Sequence, residues 1–196
     1  METVHKKPLK IIAIQGSIRE NNYTSKALSI LSEAAGRVPG LAFEIVDPRN
    51  LVLPLPGEQQ TEDVSLVQQK VEDADGVILA TPEYHGSYSS VMKLVIDNLG
   101  FPSVLQDKPT ALLGVAAGRI GAIKALEHLR SVASHVGAIV LPEVVSIARV
   151  RDQFDEHDHL KNEELRNLLT GLLGQLIRYL SKTERAAAAI CEYSKN

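Results

Sequence analysis

The sequence has one cysteine, Cys191, and no tryptophan among its 196 residues. A single thiol cannot close an internal disulfide or build a multi-thiolate metal site. That excludes the disulfide-stapled secreted scaffolds and fits a reducing cytoplasm. Positive charge is not in excess: 21 lysines and arginines face 24 acids, a formal net charge of -3. No strongly basic surface draws such a chain to nucleic acid or to an anionic membrane. Long apolar runs are missing too. The stretch from Ala111 to Ala117 falls far short of the ~20 residues needed to span a bilayer. Met1 to Lys10 carries three lysines and lacks the apolar core of a secretory signal. The expectation is a soluble cytoplasmic protein with no membrane and no nucleic-acid partner. What is present, 44% hydrophobic residues, suffices for a buried core, and the length predicts a single domain over residues 1–196.

Short apolar runs alternate with longer amphipathic stretches, the pattern of a parallel sheet covered by helices. The spacing predicts strands at Leu9 to Ile14, Leu41 to Val46, Gly76 to Ala80, Thr110 to Ala116 and Ile139 to Ile147. Helices are expected at Tyr23 to Gly36, Asp63 to Asp73, Ser89 to Leu99, Ala122 to Val136 and Lys161 to Ser181. In the first of these, Ala27, Ile30, Leu31 and Ala34 recur at helical spacing. In the last, Leu165, Leu168, Leu169, Leu172, Leu173 and Leu176 form an apolar stripe. The segment from Arg151 to His159 is expected to be an acidic, histidine-bearing linker. The fold class is therefore α/β, a doubly wound five-stranded parallel sheet, in which ligands bind beyond the carboxyl ends of the strands. That rule directs attention to the loops after the first, third and fourth predicted strands.

The first loop, Gly16 to Ser25, brings a glycine, Arg19 and five hydroxyl or amide side chains (Ser17, Asn21, Asn22, Thr24, Ser25) to a helix start. Free backbone N–H groups and the positive end of the helix dipole favour a phosphate there, and Arg19 adds charge-assisted hydrogen bonds. The same residues also suit a plain capped helix, with Asn22 or Thr24 as N-cap and Arg19 solvated. Two phosphate motifs are excluded. The triphosphatase loop needs a glycine followed by lysine where Asn21 and Asn22 stand, and the dinucleotide fingerprint needs glycines where Ile18 and Asn21 stand. A phosphate monoester remains.

The second loop runs Thr81-Pro82-Glu83-Tyr84-His85-Gly86-Ser87-Tyr88-Ser89-Ser90. An aromatic, a histidine and a glycine around a proline-fixed turn could hold a flat heterocycle, the glycine letting backbone amides approach the ring atoms. The alternative is a turn whose Tyr84 merely covers the sheet edge. In the third loop, Gly118, Arg119 and Gly121 stand at a helix start, where either ligand approach or tight strand-to-helix packing accounts for the small residues.

Taken together, the first two loops resemble the NAD(P)H-dependent FMN reductase family, flavodoxin-like flavin, quinone, chromate and azo-dye reductases. The pattern G-S-x-R-x-x-S is met by Gly16, Ser17 and Arg19, with Asn22 in place of the serine. The pattern P-x-Y-H-G-S-Y-S-G-x-L-K…D is met by Pro82, Tyr84 to Ser89, Lys93 and Asp97, with Ser90 in place of a glycine and Met92 of a leucine. The resemblance implies a flavodoxin-like three-layer fold and FMN as cofactor. It places Ser17, Arg19, Asn22, Tyr23 and Thr24 around the phosphate, and Pro82, Glu83, Tyr84, His85 and Gly86 along the isoalloxazine. Gly118 would approach the pyrimidine side, and Arg119 would help hold FMN or the nicotinamide nucleotide.

The implied reaction passes hydride from NADPH or NADH to flavin N5, then electrons to a small-molecule quinone, flavin, metal or azo acceptor, in a ping-pong scheme. No catalytic side chain is required, so His85 is read as a structural or ring-contacting residue and not as a general base. A flavodoxin-type electron carrier, binding FMN but reduced by a protein partner, is the alternative. The lack of tryptophan and the mild acidity stand against it.

Two side readings carry no function. Asp155 to His159 could suggest a divalent metal, but a charged segment before a helix is ordinarily solvated, and no metal is expected. Nothing near Cys191 in sequence offers the basic setting that activates a thiol. The apolar stripes of the last helix and of the helix after Tyr88 suggest self-association, and the family resemblance implies a homodimer or homotetramer.

Overall fold

The structure, a computed structural model, describes residues 7–193, with side chains described as far as residue 183; Cys191 lies beyond them. The strands are β1 (Leu9–Gln15), β2 (Leu41–Val46), β3 (Gly76–Tyr84), β4 (Ser87–Tyr88), β5 (Pro109–Val115) and β6 (Ile139–Ile147). The helices are α1 (Tyr23–Ala35), α2 (Glu62–Glu72), α3 (Ser90–Asp97), α4 (Ile123–His135), α5 (Val150–Gln153) and α6 (Glu163–Tyr193). Five strands run parallel in the order β2-β1-β3-β5-β6, and β4 pairs antiparallel with the end of β3.

The pleat sorts the residues of β1 between two cores. Ile11 and Ala13 face α1 and α6, where they pack with Ala27, Leu28, Leu31, Leu169, Leu173 and Leu176. Ile12 and Ile14 face the other side, with Val67 and Val71 of α2, Met92 and Val95 of α3 and Leu126 and Leu129 of α4. A strand covered on both faces reads as an uninterrupted apolar run, which is why β1 was legible. Each fully buried leucine or isoleucine here contributes about 1.5–3 kcal/mol over an exposed one. The result is three layers, and among the described residues no helix is long and apolar enough to cross a membrane.

The chain leaves β1 through α1 on one face to reach β2, then returns through α2 on the other face to β3. The carboxyl ends of β1 and β3 therefore open a crevice at the point where the strand order reverses. Gly16 is the residue that lets them stay adjacent. Its N–H donates to the Ala80 carbonyl at 2.7 Å, and a Cβ there would lie 2.8 Å from the same oxygen and 3.1 Å from Met92 Cε.

Several expectations need correction. The third strand does not end at Ala80 but continues to Tyr84 and turns back as β4, so the second loop is a β-hairpin. The expected linker holds α5, an antiparallel bridge between Phe154 and Leu160, and a turn in which the Asp155 carboxylate accepts the N–H groups of His157 and His159. The last helix continues to Tyr193, through an alanine run whose helix propensity extends it past the apolar stripe. That stripe is satisfied inside the chain: Leu165, Leu169, Leu172, Leu173 and Leu176 are buried, and Leu168 faces outward at 56% exposure. It gives no reason for self-association.

Candidate functional site

The first loop is braced from below. Gln15, buried at the end of β1, donates through Nε2 to the Ser17 carbonyl at 2.7 Å and to Asp47 Oδ1 at 3.2 Å. Burial pushes the Asp47 carboxyl up, but hydrogen bonds and charge from Arg49 outweigh it and hold the group below the usual carboxylate range. Asn22 is the N-cap of α1. Its Oδ1 accepts the Ser25 N–H at 2.8 Å and its Nδ2 donates to the Arg19 carbonyl at 2.8 Å, so both ends of the amide are engaged in shaping the loop.

What this cap leaves open is informative. The N–H groups of Tyr23 and Thr24 find no acceptor among the described residues, as expected for a first helical turn. Beside them the Thr24 hydroxyl, on a residue only 1% exposed, is buried without any hydrogen-bond partner. A buried unpaired hydroxyl costs about 1–3 kcal/mol, a cost that an acceptor-rich ligand would relieve. Ser17 is also buried, and its hydroxyl receives only a long 3.4 Å contact from the Arg19 N–H.

The hairpin forms the opposite wall. Tyr84 pairs with Ser87 across a two-residue turn in which His85 and Gly86 both have positive φ, 51° and 75°. This is the mirror-image turn that suits strand twist, and it asks for glycine at its second position. Arg19 crosses from the first loop to lie over the Tyr84 ring, 4.8 Å from its centroid. Ser89 ties the hairpin to the first loop: its N–H donates to Thr81 Oγ1 at 3.0 Å and its hydroxyl donates to the Gly16 carbonyl at 2.5 Å. Glu83 borders the crevice, and its carboxylate accepts the Ala125 N–H at 3.1 Å in the first turn of α4. The N-cap Ala122 has no side chain able to do this. The carboxylate there also meets the positive end of the helix dipole.

Together these walls enclose a cleft of about 410 Å³. It is lined by Ser17, Arg19, Asn22, Tyr23, Thr24, Pro82, Glu83 and Tyr84 from the sequence-derived set. His85 and Gly86 sit at the hairpin tip and Gly118 and Arg119 in the exposed third loop; none of these four lines the cleft. The lining combines hydrogen-bond donors with an aromatic ring under Arg19, an arrangement that binds and orients.

A cleft at the switch point of a flavodoxin-ordered sheet, with an unsatisfied anion cradle on one wall and a tyrosine hairpin on the other, can be compared with known proteins. The sequence profile of the NADPH-dependent FMN reductase family matches residues 9–152. The chain belongs to this family. An NAD(P)H-dependent FMN reductase of Pseudomonas aeruginosa is 34% identical over 175 residues, covering 82% of this chain and 89% of that protein. A 2-hydroxy-1,4-benzoquinone reductase of a Burkholderia species is 30% identical over 170 residues, covering 82% and 90%. Among solved structures, the flavoenzyme NAD(P)H:(acceptor) oxidoreductase FerB of Paracoccus denitrificans superposes with a TM-score of 0.74 at 23% identity, covering 89% of this chain and 98% of that one. That likeness speaks for the fold.

In this member of the FMN reductase family the cleft also takes in Asn21, one of the first loop's polar side chains, and Glu20, Val115, Ala117, Val150 and Arg151, which sequence reasoning did not single out. Val150 and Arg151 were findable. They follow the carboxyl end of β6, to which the rule about strand ends applies as much as to β1, β3 and β5.

Proposed function

We propose that the protein is an FMN-dependent NAD(P)H oxidoreductase, and the observation that carries this reading is the unpaired Thr24 hydroxyl beside the free N–H groups of Tyr23 and Thr24. Those donors fit a phosphate monoester, the terminal group of FMN, and Ser17 and Arg19 complete the cradle from the loop side. Asn22 acts one step removed, by fixing the curve of the loop. Pro82, Glu83 and Tyr84 supply the wall for a flat ring, with Glu83 also anchoring α4. His85 and Gly86, in their positive-φ turn, and Gly118 and Arg119, in the third loop, stand outside the lining and would reach the ring or the nicotinamide nucleotide only from beyond it.

Bound FMN would supply a hydride-accepting flavin N5, reduced by NADPH or NADH and reoxidised by a small-molecule acceptor such as a quinone, flavin, metal or azo compound. The chain's part is to hold ring and donor in register, since positioning lowers the barrier by prepaying orientational entropy. The test is steady-state turnover of FMN-loaded protein with NADPH and a benzoquinone. Parallel double-reciprocal lines support the ping-pong reading, and absence of turnover with every acceptor class refutes it.

The enzyme is cytoplasmic and acts as a homodimer or homotetramer in this reading. The support for assembly is Phe101, fully exposed after α3 and on the wall of a groove of about 550 Å³ between α3 and α4, where Ile96, Val132 and Val136 stand among Lys93, Asp97 and His135. A second copy offering its own Phe101 would fill that groove in an isologous contact.

A further inference from the structure

Arg119 in the third loop and Arg149 and Arg151 after β6 stand on two segments that meet at the β6 end of the cleft. The Arg149 N–H donates to the Gly118 carbonyl at 2.9 Å, which brings the third loop against the start of α5, and Arg151 in α5 lines the cleft itself. All three are exposed, and among the described residues none has a carboxylate within 4.0 Å. In a chain of net charge -3, three guanidiniums without an ion-pair partner add positive charge to the end of a cleft whose other walls carry Glu20 and Glu83. Arg149 is moreover held in left-handed backbone, φ 43°, a conformation unfavourable to arginine. It is fixed there by the bond to Gly118 and by Asp152, whose N–H donates to the Arg149 carbonyl at 2.8 Å. Such strain at a non-glycine residue persists where the surroundings over-determine it, and it collects at binding sites.

The two walls differ in kind. The first loop offers buried, fixed donors, which suit an anion that stays. The arginine rim offers mobile side chains in water, which suit an anion that enters and leaves at every turnover. Guanidinium prefers a phosphate dianion, which it grips in a bidentate fork, to the singly charged phosphates shared by all nucleotides.

We infer that Arg149 and Arg151, with Arg119 beside them, bind the 2′-phosphate of NADPH and make the enzyme prefer it to NADH. This rests on the nicotinamide-dependent reading above. It is tested apart from turnover, by calorimetric titration of FMN-loaded protein with adenosine 2′,5′-bisphosphate and with AMP, which differ only in the 2′-phosphate. The bisphosphate is expected to bind roughly tenfold tighter or better, and Arg151→Ala and Arg149→Gly are each expected to remove most of that margin. Arg149→Gly suits the left-handed backbone, so its effect reads the guanidinium and not a folding defect. Arg151→Lys should keep part of the margin. Equal binding of the two probes overturns the inference, as does a margin that survives both substitutions. A margin that is lost in the variants, in a protein that neither nucleotide reduces, upholds the arginine site and refutes the reductase reading instead.

Discussion

The Ser89 hydroxyl donates to the Gly16 carbonyl at 2.5 Å while accepting the Met92 N–H at 3.0 Å. One side chain thus caps α3 and pins the hairpin wall of the cleft to the loop at its floor. Ser89→Ala is expected to cost about 1–2 kcal/mol of unfolding free energy, from the lost cap and the unpaired Gly16 carbonyl. Denaturant melts will show it, and FMN affinity will fall with it. A variant as stable as the parent would mean that the contact does not join the two walls.

Thr24→Val separates a ligand role from a structural one. Removing a buried hydroxyl that has no partner leaves the FMN-free protein as stable as before, or more so. FMN binding, followed by quenching of flavin fluorescence, is expected to weaken roughly tenfold through loss of a hydrogen bond to a charged group. A loss of stability without a loss of affinity would contradict the cradle.

Glu83 is expected to act through α4. Glu83→Gln keeps an acceptor for the Ala125 N–H and should lose only a few tenths of a kcal/mol, whereas Glu83→Ala should lose about 1 kcal/mol, as capping substitutions do. Thermal melts of the pair check this. Equal losses would show that charge alone, and not the hydrogen bond, matters there.

The Asp47 carboxyl is held below its ordinary value by Arg49 despite partial burial. A lowered folded pKa stabilises the fold above the unfolded value, ~3.9, and that contribution is lost as pH falls through the folded pKa. The stability difference between the parent and Asp47→Asn should therefore hold steady from pH 5 to 7 and shrink below about pH 4. Denaturation at stepped pH measures it, and a difference unchanged down to pH 2 would refute the pairing with Arg49.

Phe101→Ser is expected to shift the assembled protein toward monomer in light scattering at micromolar concentration, with the unfolding curve of the monomer little changed. An unaltered mass would remove Phe101 from the interface.

The sequence made some features plain because a single physical cause acted on them. β2 and β6 lie where alternation and apolar runs put them, and the polar loop after β1 does sit at a helix start. The hairpin was hidden because His85 supplies one of its two positive-φ positions, where the readable turn signal is asparagine or aspartate before glycine. The roles of Asn22 and Glu83 were blurred for another reason. A capping amide and a ligand-binding amide look alike in sequence, and only the bonds to Ser25, Arg19 and Ala125 show where these side chains are spent. Arg151 was findable from its place after β6, but the meaning of Arg149 and Arg151 together depends on which charges are absent around them, a property of space and not of order along the chain.

The central claim is that this cleft brings a nicotinamide to a bound flavin. The most direct measurement is the anaerobic visible spectrum of FMN-loaded protein before and after addition of NADPH, then of NADH. The account predicts rapid bleaching of the flavin band, faster with NADPH. Bound flavin that neither nucleotide bleaches would contradict it.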